Sequence, residues 1–358
     1  MTVSEISSKT VTVKAASIIL TLALGYLGAG LAQLIHLPVP ALLGSGILIA
    51  VLAFTPLPLS MPTLMRNIGF TILGCSMGSS ITQEMLAKIG QWPLSLVGLG
   101  ATVTAMMVAS TWILVKYFQQ TKNTALLAST PGALSTVVAL ASEGKGDLGT
   151  VVVLQSLRLI LVMLSFPLII HSLNLQGSMQ LTAAQQASLP WHTVPALLLT
   201  AFAIAQMLEK LKLPAAYVLS GLILSAAGHL GGWLNGNLPS TIVTLGFVII
   251  GCVVGTRLKG MKLSELRSLS LAAFISVGLS SLLAALGAGL MATALDLPFG
   301  QVWIAYAPGG IEAMAALALA LHYDPAYIAA HHLSRIVAIT LFMPLIARLL
   351  TVEKESQS

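Results

Sequence analysis

Ile68-Gly69-Phe70-Thr71-Ile72-Leu73-Gly74-Cys75-Ser76-Met77-Gly78 returns later in the chain as Leu245-Gly246-Phe247-Val248-Ile249-Ile250-Gly251-Cys252-Val253-Val254-Gly255. Six of the eleven positions are identical at an offset of 177, and both cysteines of the chain are among them. The same offset pairs Pro131-Gly132 with Pro308-Gly309, Asp147 with Asp324, Arg158 with Arg335 and Pro167 with Pro344. Leu37-Pro38 matches Leu213-Pro214 one register away. Chance apolar similarity does not hold rare residues in one frame over about 100 positions, so the chain is an internal duplication.

Composition sets the solvent. Of 358 residues, 56% are hydrophobic and 8% charged, against about 25% charged in an ordinary soluble domain. So few charges cannot cover a water-facing surface, and apolar stretches of about 20 residues match a hydrocarbon core about 30 Å thick. A formal charge of +6 would suit nucleic acid, but the lysines and arginines lie in short loops and form no basic domain. Lys14 opens a long span with no small-residue cleavage site after it, so no cleavable signal is expected. Cys75 and Cys252 sit inside apolar segments and read as buried thiols.

Each half carries six apolar segments: near 15–35, 39–54, 64–82, 93–117, 125–143 and 149–171, then 193–210, 214–229, 239–257, 268–294, 301–321 and 325–349. The chain therefore divides into an N-terminus (1–14), repeat 1 (15–172), an inter-repeat loop (173–192), repeat 2 (193–350) and a C-terminus (351–358). The fifth segments each hold a Pro-Gly in mid-run, Pro131-Gly132 and Pro308-Gly309. Proline removes a backbone donor and clashes with the preceding turn, while glycine permits positive φ. Broken or re-entrant helices are predicted there, with a simple proline kink as the alternative. Broken backbone at membrane depth survives where it is buried in protein or lines a watery cavity.

Charge tests the topology separately. With all twelve segments crossing and a cytoplasmic N-terminus, eight lysines and arginines fall outside and seven inside. With the fifth segments dipping in and returning, fourteen fall inside, Lys88 alone outside, and Arg158 and Arg335 within the membrane. An odd number of crossings per half inverts the second half. The expectation is an all-α polytopic membrane protein with two inverted repeats, about ten transmembrane helices and two broken or re-entrant helices. Both termini face the cytoplasm, and the membrane is a bacterial inner membrane. Inverted repeats whose discontinuous helices meet near the midplane characterise secondary transporters.

Several residues could carry chemistry. Arg158 and Arg335 lie about ten residues inside their helices, too deep to snorkel easily, and a cation there costs at least about 2.5–3.5 kcal/mol on insertion scales. They read as anion-binding groups, as charges guiding a moving bundle, or as structural arginines bonded to carbonyls freed by the broken helix. Glu312 follows Pro308 by about one turn, and its three competing roles are helix cap, partner of an arginine, or coupling carboxylate. Its repeat mate is Ser135. Backbone donors near Gly132 and Gly309–Gly310, with Ser129, Thr130, Ser135 and Thr136, could cradle a small anionic or zwitterionic solute, or could simply be small residues at a packing face. His332 replaces Gln155 at the repeat position, and with His331 it could relay protons or lie at the membrane rim. Gly74, Gly78, Gly251 and Gly255 read as close helix packing.

The early "LPVPALLG" and "LPAAYVLSG", the later "TALLASTPGALSTVVALA" and "YAPGGIEAMAALALAL", and the arginine-bearing helices that follow resemble the bacterial AbrB-duplication membrane family over residues 15–350. Members of that family have been labelled as ammonia monooxygenases and as regulators of gene expression. The resemblance implies kinship with inverted-repeat cation-antiporter and anion-transporter folds, and an elevator-like mechanism. The second half carries the fuller motif, Pro308-Gly309-Gly310 with Glu312 and Met314, where the first has Ala133, Ser135 and Val137, so the site is expected to be asymmetric.

A secondary transporter for a small polar or anionic metabolite is the reading these features favour, with coupling to protons or sodium open. A membrane-embedded regulator acting indirectly is the alternative. An oxidoreductase would need a redox or metal constellation. His36, His171, His192, His229, His322, His331 and His332 form no i, i+4 pair with a carboxylate. No cofactor, no metal and no catalytic residue are expected. The expected partners are membrane lipid and an unidentified small molecule, without direct nucleic-acid contact and with a homodimer left open.

Overall fold

The computed structural model describes the backbone of residues 3–132, 134–175, 177 and 187–355, and the segmentation reappears in it almost element for element. In the first half α1 spans Val3–Leu34, α2 Pro40–Leu52 and α3 Thr63–Gly78. A short α4, Gln83–Ala87, then precedes α5, Trp92–Phe118, while the fifth segment is split into α6, Lys122–Ser129, and α7, Leu134–Leu140, ahead of α8, Leu148–Ser172. The second half gives α9 Thr193–Lys210, α10 Ala216–Leu230, α11 Ser240–Gly255 and α12 Leu263–Leu295. Its fifth segment is split too, into α13 Phe299–Tyr306 and α14 Ile311–Ala320, before α15 Pro325–Glu355. Part of the inter-repeat loop expected at 173–192 lies outside the described residues.

Seven of these helices are long and apolar enough to cross a membrane. The long helices turn apolar side chains outward, among them Trp112, Phe274, Leu286 and Leu290, which suits a lipid surround. Three of the ten expected crossings are shorter: α2, α10 and α3 have 13, 15 and 16 residues. At about 1.5 Å per residue that is roughly 20–24 Å, less than a typical hydrocarbon core.

The chain forms two compact units that cut across the halves: residues 1–80 with 181–261, and 81–180 with 262–358. Segments one to three of both repeats build the first unit, and segments four to six of both build the second. Within the first unit, α1 and α2 pack with α11 of the other half, while α9 and α10 pack with α3. Each triad thus borrows its third helix from the opposite repeat. Cys252 lies in the first triad with Ala29, Ile49 and Val248, and Cys75 in the second with Leu197, Ala201 and Leu238.

Glycine sets how closely the borrowed helices approach. A Cβ added at Gly74 would lie 2.3 Å from Val218 O, and one at Gly251 would lie 2.5 Å from Leu42 O. The next turn repeats the pattern, Gly78 against Leu222 O and Gly255 against Gly46 O. The small-residue stripes are therefore packing faces, as expected. Helix two keeps the shifted register seen at Leu37-Pro38 and Leu213-Pro214. Its N-caps, Val39 and Ala215, both adopt left-handed φ, 50° and 53°, a conformation that disfavours side chains with a Cβ.

In the second unit, α5 and α12, which are repeat mates, pack against each other. Helix α5 also meets α6 and the other half's α15, while α12 meets α13 and the other half's α8. The exchange seen in the first unit is repeated here with different segments.

Candidate functional site

Both breaks follow from local chemistry. A residue before proline is pushed out of the helical region, and Thr130 (φ −70°, ψ 117°) and Ala307 (φ −54°, ψ 143°) are both extended. Gly132 continues at φ 86°, a conformation suited to glycine. The second half turns differently: Gly309 is not left-handed, and the extended Gly310 (φ −80°, ψ 146°) caps α14.

Interrupting a helix leaves its last carbonyls without intrahelical donors. Here α8 and α15 supply the donors. Gln155 Nε2–H donates to Leu127 O at 2.9 Å and Thr130 O at 3.0 Å. Arg158 Nη1 donates to Ala128 O at 3.3 Å and Thr130 O at 3.2 Å, and Nη2 to Gln155 Oε1. In the second half His332 Nε2–H donates to Ile304 O at 3.0 Å. Arg335 donates through Nη1 to Ala307 O and through Nη2 to Gly309 O. Each arginine thus sits at the negative end of a half-helix, where the dipole favours a cation.

The opposite ends of the half-helices are tied down as well. Thr124 Oγ1 accepts from Asp147 N at 2.9 Å, and its repeat mate Gln301 accepts through Oε1 from Asp324 N at 3.3 Å. Both aspartates cap the following helix. Asp147 Oδ2 accepts from Thr150 N at 2.9 Å, and Asp324 Oδ1 accepts from Ala326 N at 2.9 Å and Tyr327 N at 3.2 Å. The bonds from Thr150 hold the Asp147 carboxyl below the ordinary aspartate range.

The two breaks share one neighbourhood. Pro131 and Pro308 line the same small cavity, with room for about 20 Å³, together with Ser129, Arg158 and the Ser110–Ser280 pair. Ser110 Oγ and Ser280 Oγ bond each other at 2.9 Å. A Cβ on Gly132 would lie 3.5 Å from Arg335 Nε, so the first half's break lies beside the second half's arginine. Among the described residues neither arginine forms an ion pair.

The expected residues fall into distinct places. Arg158 (6% exposed) and Arg335 (3%) are buried at the breaks, and Nε of each has no partner. Pro131, Pro308 and Gly309 are buried, while Gly132 and Gly310 are partly so. Ser129 Oγ is buried without a partner at the cavity. Thr130 is fully buried and its hydroxyl donates to Leu126 O at 2.8 Å. His332 is fully buried. The side chains of Ser135 and Glu312 lie outside the described residues.

Two groups, His331 apart, had no signature in the sequence reading. Ser110 and Ser280 are each one of several hydroxyls in long apolar helices. Only their helical spacing with other cavity residues, Met106–Ser110–Leu114 and Ser276–Ser280, offers a pattern. Ser95, Tyr306, Tyr327 and His331 form a second buried network. His331 Nδ1–H donates to Tyr327 O at 2.7 Å, leaving Nε2 to accept from Ser95 Oγ–H at 2.9 Å. The Tyr327 hydroxyl bonds Ser95 Oγ, and Tyr306 Oη–H donates to Ser95 O. This network clasps α5, α13 and α15 together beside the second break.

"Putative regulator AbrB" of Escherichia coli (strain K12) is 25% identical over 343 residues, covering 95% of this chain and 96% of its own. "Uncharacterized protein YhjN" of Bacillus subtilis (strain 168) is 24% identical over 305 residues, covering 79% of this chain and 78% of its own. The family described as "Transition state regulatory protein AbrB" matches residues 42–351, a stretch that takes in both interrupted helices and both buried arginines. This apolar, all-helical chain belongs to the AbrB family.

Proposed function

We propose that the protein is a secondary transporter of a bacterial inner membrane, moving a small polar or anionic metabolite without chemical conversion. In this reading the repeats are inverted, ten helices cross, the broken helices enter from opposite faces, and both termini are cytoplasmic. The cycle is elevator-like, with protons or sodium as the candidate coupling ions. One observation carries the proposal: interrupted helices from both halves meet in one compact unit, at a cavity beside a buried arginine. Discontinuous helices of paired repeats are where secondary transporters hold their substrates.

Flux into proteoliposomes of purified protein, screened across organic acids, amino acids and cations, tests the activity. Cysteine labelling tests the topology: residues 145 and 322 should react from opposite sides, and labelling from a common side overturns the inverted arrangement.

The name carried by the Escherichia coli relative favours a second reading, a membrane-embedded regulator acting indirectly. A transporter changes metabolite levels and so changes transcription. Regulation that survives in a flux-dead variant, with a partner protein recovered by pull-down, would favour direct regulation over transport.

A further inference from the structure

We infer that Trp191 and Trp233 form a membrane-interface anchor, seating two linked loops in the headgroup layer of a phospholipid bilayer. The anchor lies at the end of the first compact unit, residues 1–80 with 181–261, that is remote from its lysines and arginines. This contact with lipid is independent of whether a solute is carried.

Contacts within the unit define its two ends. Helices α3 and α10 run parallel, since Gly74 packs on Val218 and Gly78 on Leu222. The end where both helices start holds Arg66, in the first turn of α3, and Lys210 and Lys212, just before α10. Lys259 belongs there too: its Nζ donates to Leu57 O at 3.2 Å and Leu59 O at 2.6 Å, in the loop that leads into α3. Ser60 N of the same loop donates to Thr21 Oγ1 at 2.9 Å, which brings the Lys14 end of the α1 span to this side.

The other end, where α10 finishes and α9 begins, is built without charge. Segment 187–191 precedes α9 and segment 231–239 follows α10, and neither holds a Lys, Arg, Asp or Glu. Leu189 N donates to Asn237 O at 2.8 Å and Asn237 N to Ala187 O at 2.7 Å, which joins the two segments. His229 Nε2–H donates to Gly236 O at 2.8 Å and ties them to the last turn of α10. Leu189 and Leu238 turn inward, each 4% exposed, while Trp191 and Trp233 turn outward at 72% and 82%. The repeat sharpens the contrast: at the offset of 177, Trp191 answers to Lys14 and Val243 to Arg66.

An indole combines a broad apolar body with a single N–H donor, and the boundary between hydrocarbon and water satisfies both. In the hydrocarbon itself, loop backbone facing lipid would lack partners for its N–H and C=O groups. Helix α9 gives the spacing. Its 18 residues rise about 27 Å, close to a hydrocarbon core of about 30 Å, so Trp191 and Lys210 fall at the two boundaries. Between them Leu199 and Met207 are exposed and apolar, which continues the lipid-facing surface up to the tryptophans.

The test uses the full chain in lipid nanodiscs. Tryptophan emission of the parent minus that of a Trp191→Phe/Trp233→Phe variant isolates the two indoles. Lipids brominated near the headgroup should quench this difference at least about twofold more than lipids brominated at the chain ends, and aqueous iodide should quench it weakly. Strong quenching by iodide with none by brominated lipid places the indoles in water and overturns the anchor. Strongest quenching by chain-end bromines places them in hydrocarbon and overturns it too. Protection from both quenchers, with an oligomer that Trp191→Lys/Trp233→Lys dissociates, assigns this face to a second copy of the chain instead of lipid. None of these readouts depends on flux, so failure of the anchor and failure of transport are told apart.

Discussion

Gln155 and His332 hold the same place in the two halves and do the same work with different chemistry. Each is fully buried, and each donates a side-chain N–H to a carbonyl of the half-helix before the break, Leu127 O at 2.9 Å and Ile304 O at 3.0 Å. Donation to a carbonyl places the proton of neutral His332 on Nε2, which leaves Nδ1 with no partner. Glutamine can make this bond without an orphaned ring nitrogen. We expect His332→Gln to fold with stability within about 1 kcal/mol of the parent, and His332→Leu to lose about 1–3 kcal/mol. Thermal unfolding of both variants in one detergent checks the pair.

Arg158 and Arg335 each span two carbonyls with one planar guanidinium. A lysine ammonium is a point charge on a flexible stem and does not reproduce that fork. Arg335→Lys and Arg158→Lys should each cost about 2–4 kcal/mol by leaving buried carbonyls without donors. Arg335→Ala should abolish flux and also lower the unfolding temperature, so insertion and folding must be measured beside transport. An unchanged unfolding temperature in all three variants would remove the arginines from the architecture.

Gly74 and Gly251 occupy equivalent close approaches, whereas Gly30 and Gly278 have nothing within 4 Å of an added Cβ. Gly74→Ala and Gly251→Ala should destabilise by about 1–3 kcal/mol through forced separation of packed helices. Gly30→Ala and Gly278→Ala should be neutral or stabilising by up to about 1 kcal/mol. Unfolding curves for the four variants should separate into these two groups.

Asp147 caps α8, and its carboxyl is held below the ordinary range by the bonds from Thr150. A lowered folded value means that its stabilisation is fully present above the unfolded aspartate pKa, and is lost as pH falls through the folded one. Asp147→Ala should cost about 0.5–1 kcal/mol at neutral pH, since the site is exposed. The difference between variant and parent should shrink on acidification, and stability profiles between neutral and strongly acidic pH would reveal it.

Much of this was readable in the residues because proline, glycine and arginine are conspicuous in apolar runs. Pro131 and Pro308, each followed by glycine, marked the interruptions, whereas Pro167 stands inside the unbroken α8, and Arg158 and Arg335 had to find acceptors. Serine and threonine are quieter. A hydroxyl can bond its own helix's carbonyl four residues back, as Thr130 does with Leu126 O, so its presence implies no external partner. That is why Ser110, Ser280 and Ser95 could not be singled out. Which helix lies beside which was also hidden. Gly74 and Gly251 announce a close neighbour, but nothing in their spacing says that the neighbour comes from the opposite half.

The borrowed third helices bear on biosynthesis. A ribosome that has extruded only the first 172 residues has made α3 without α10, and α5 without α12 or α15. Neither compact unit can close until the second repeat has been translated, so the nascent first half must wait, sheltered in the insertion machinery or in lipid. Split at the inter-repeat loop, the two polypeptides should regain a folded protein only when co-expressed.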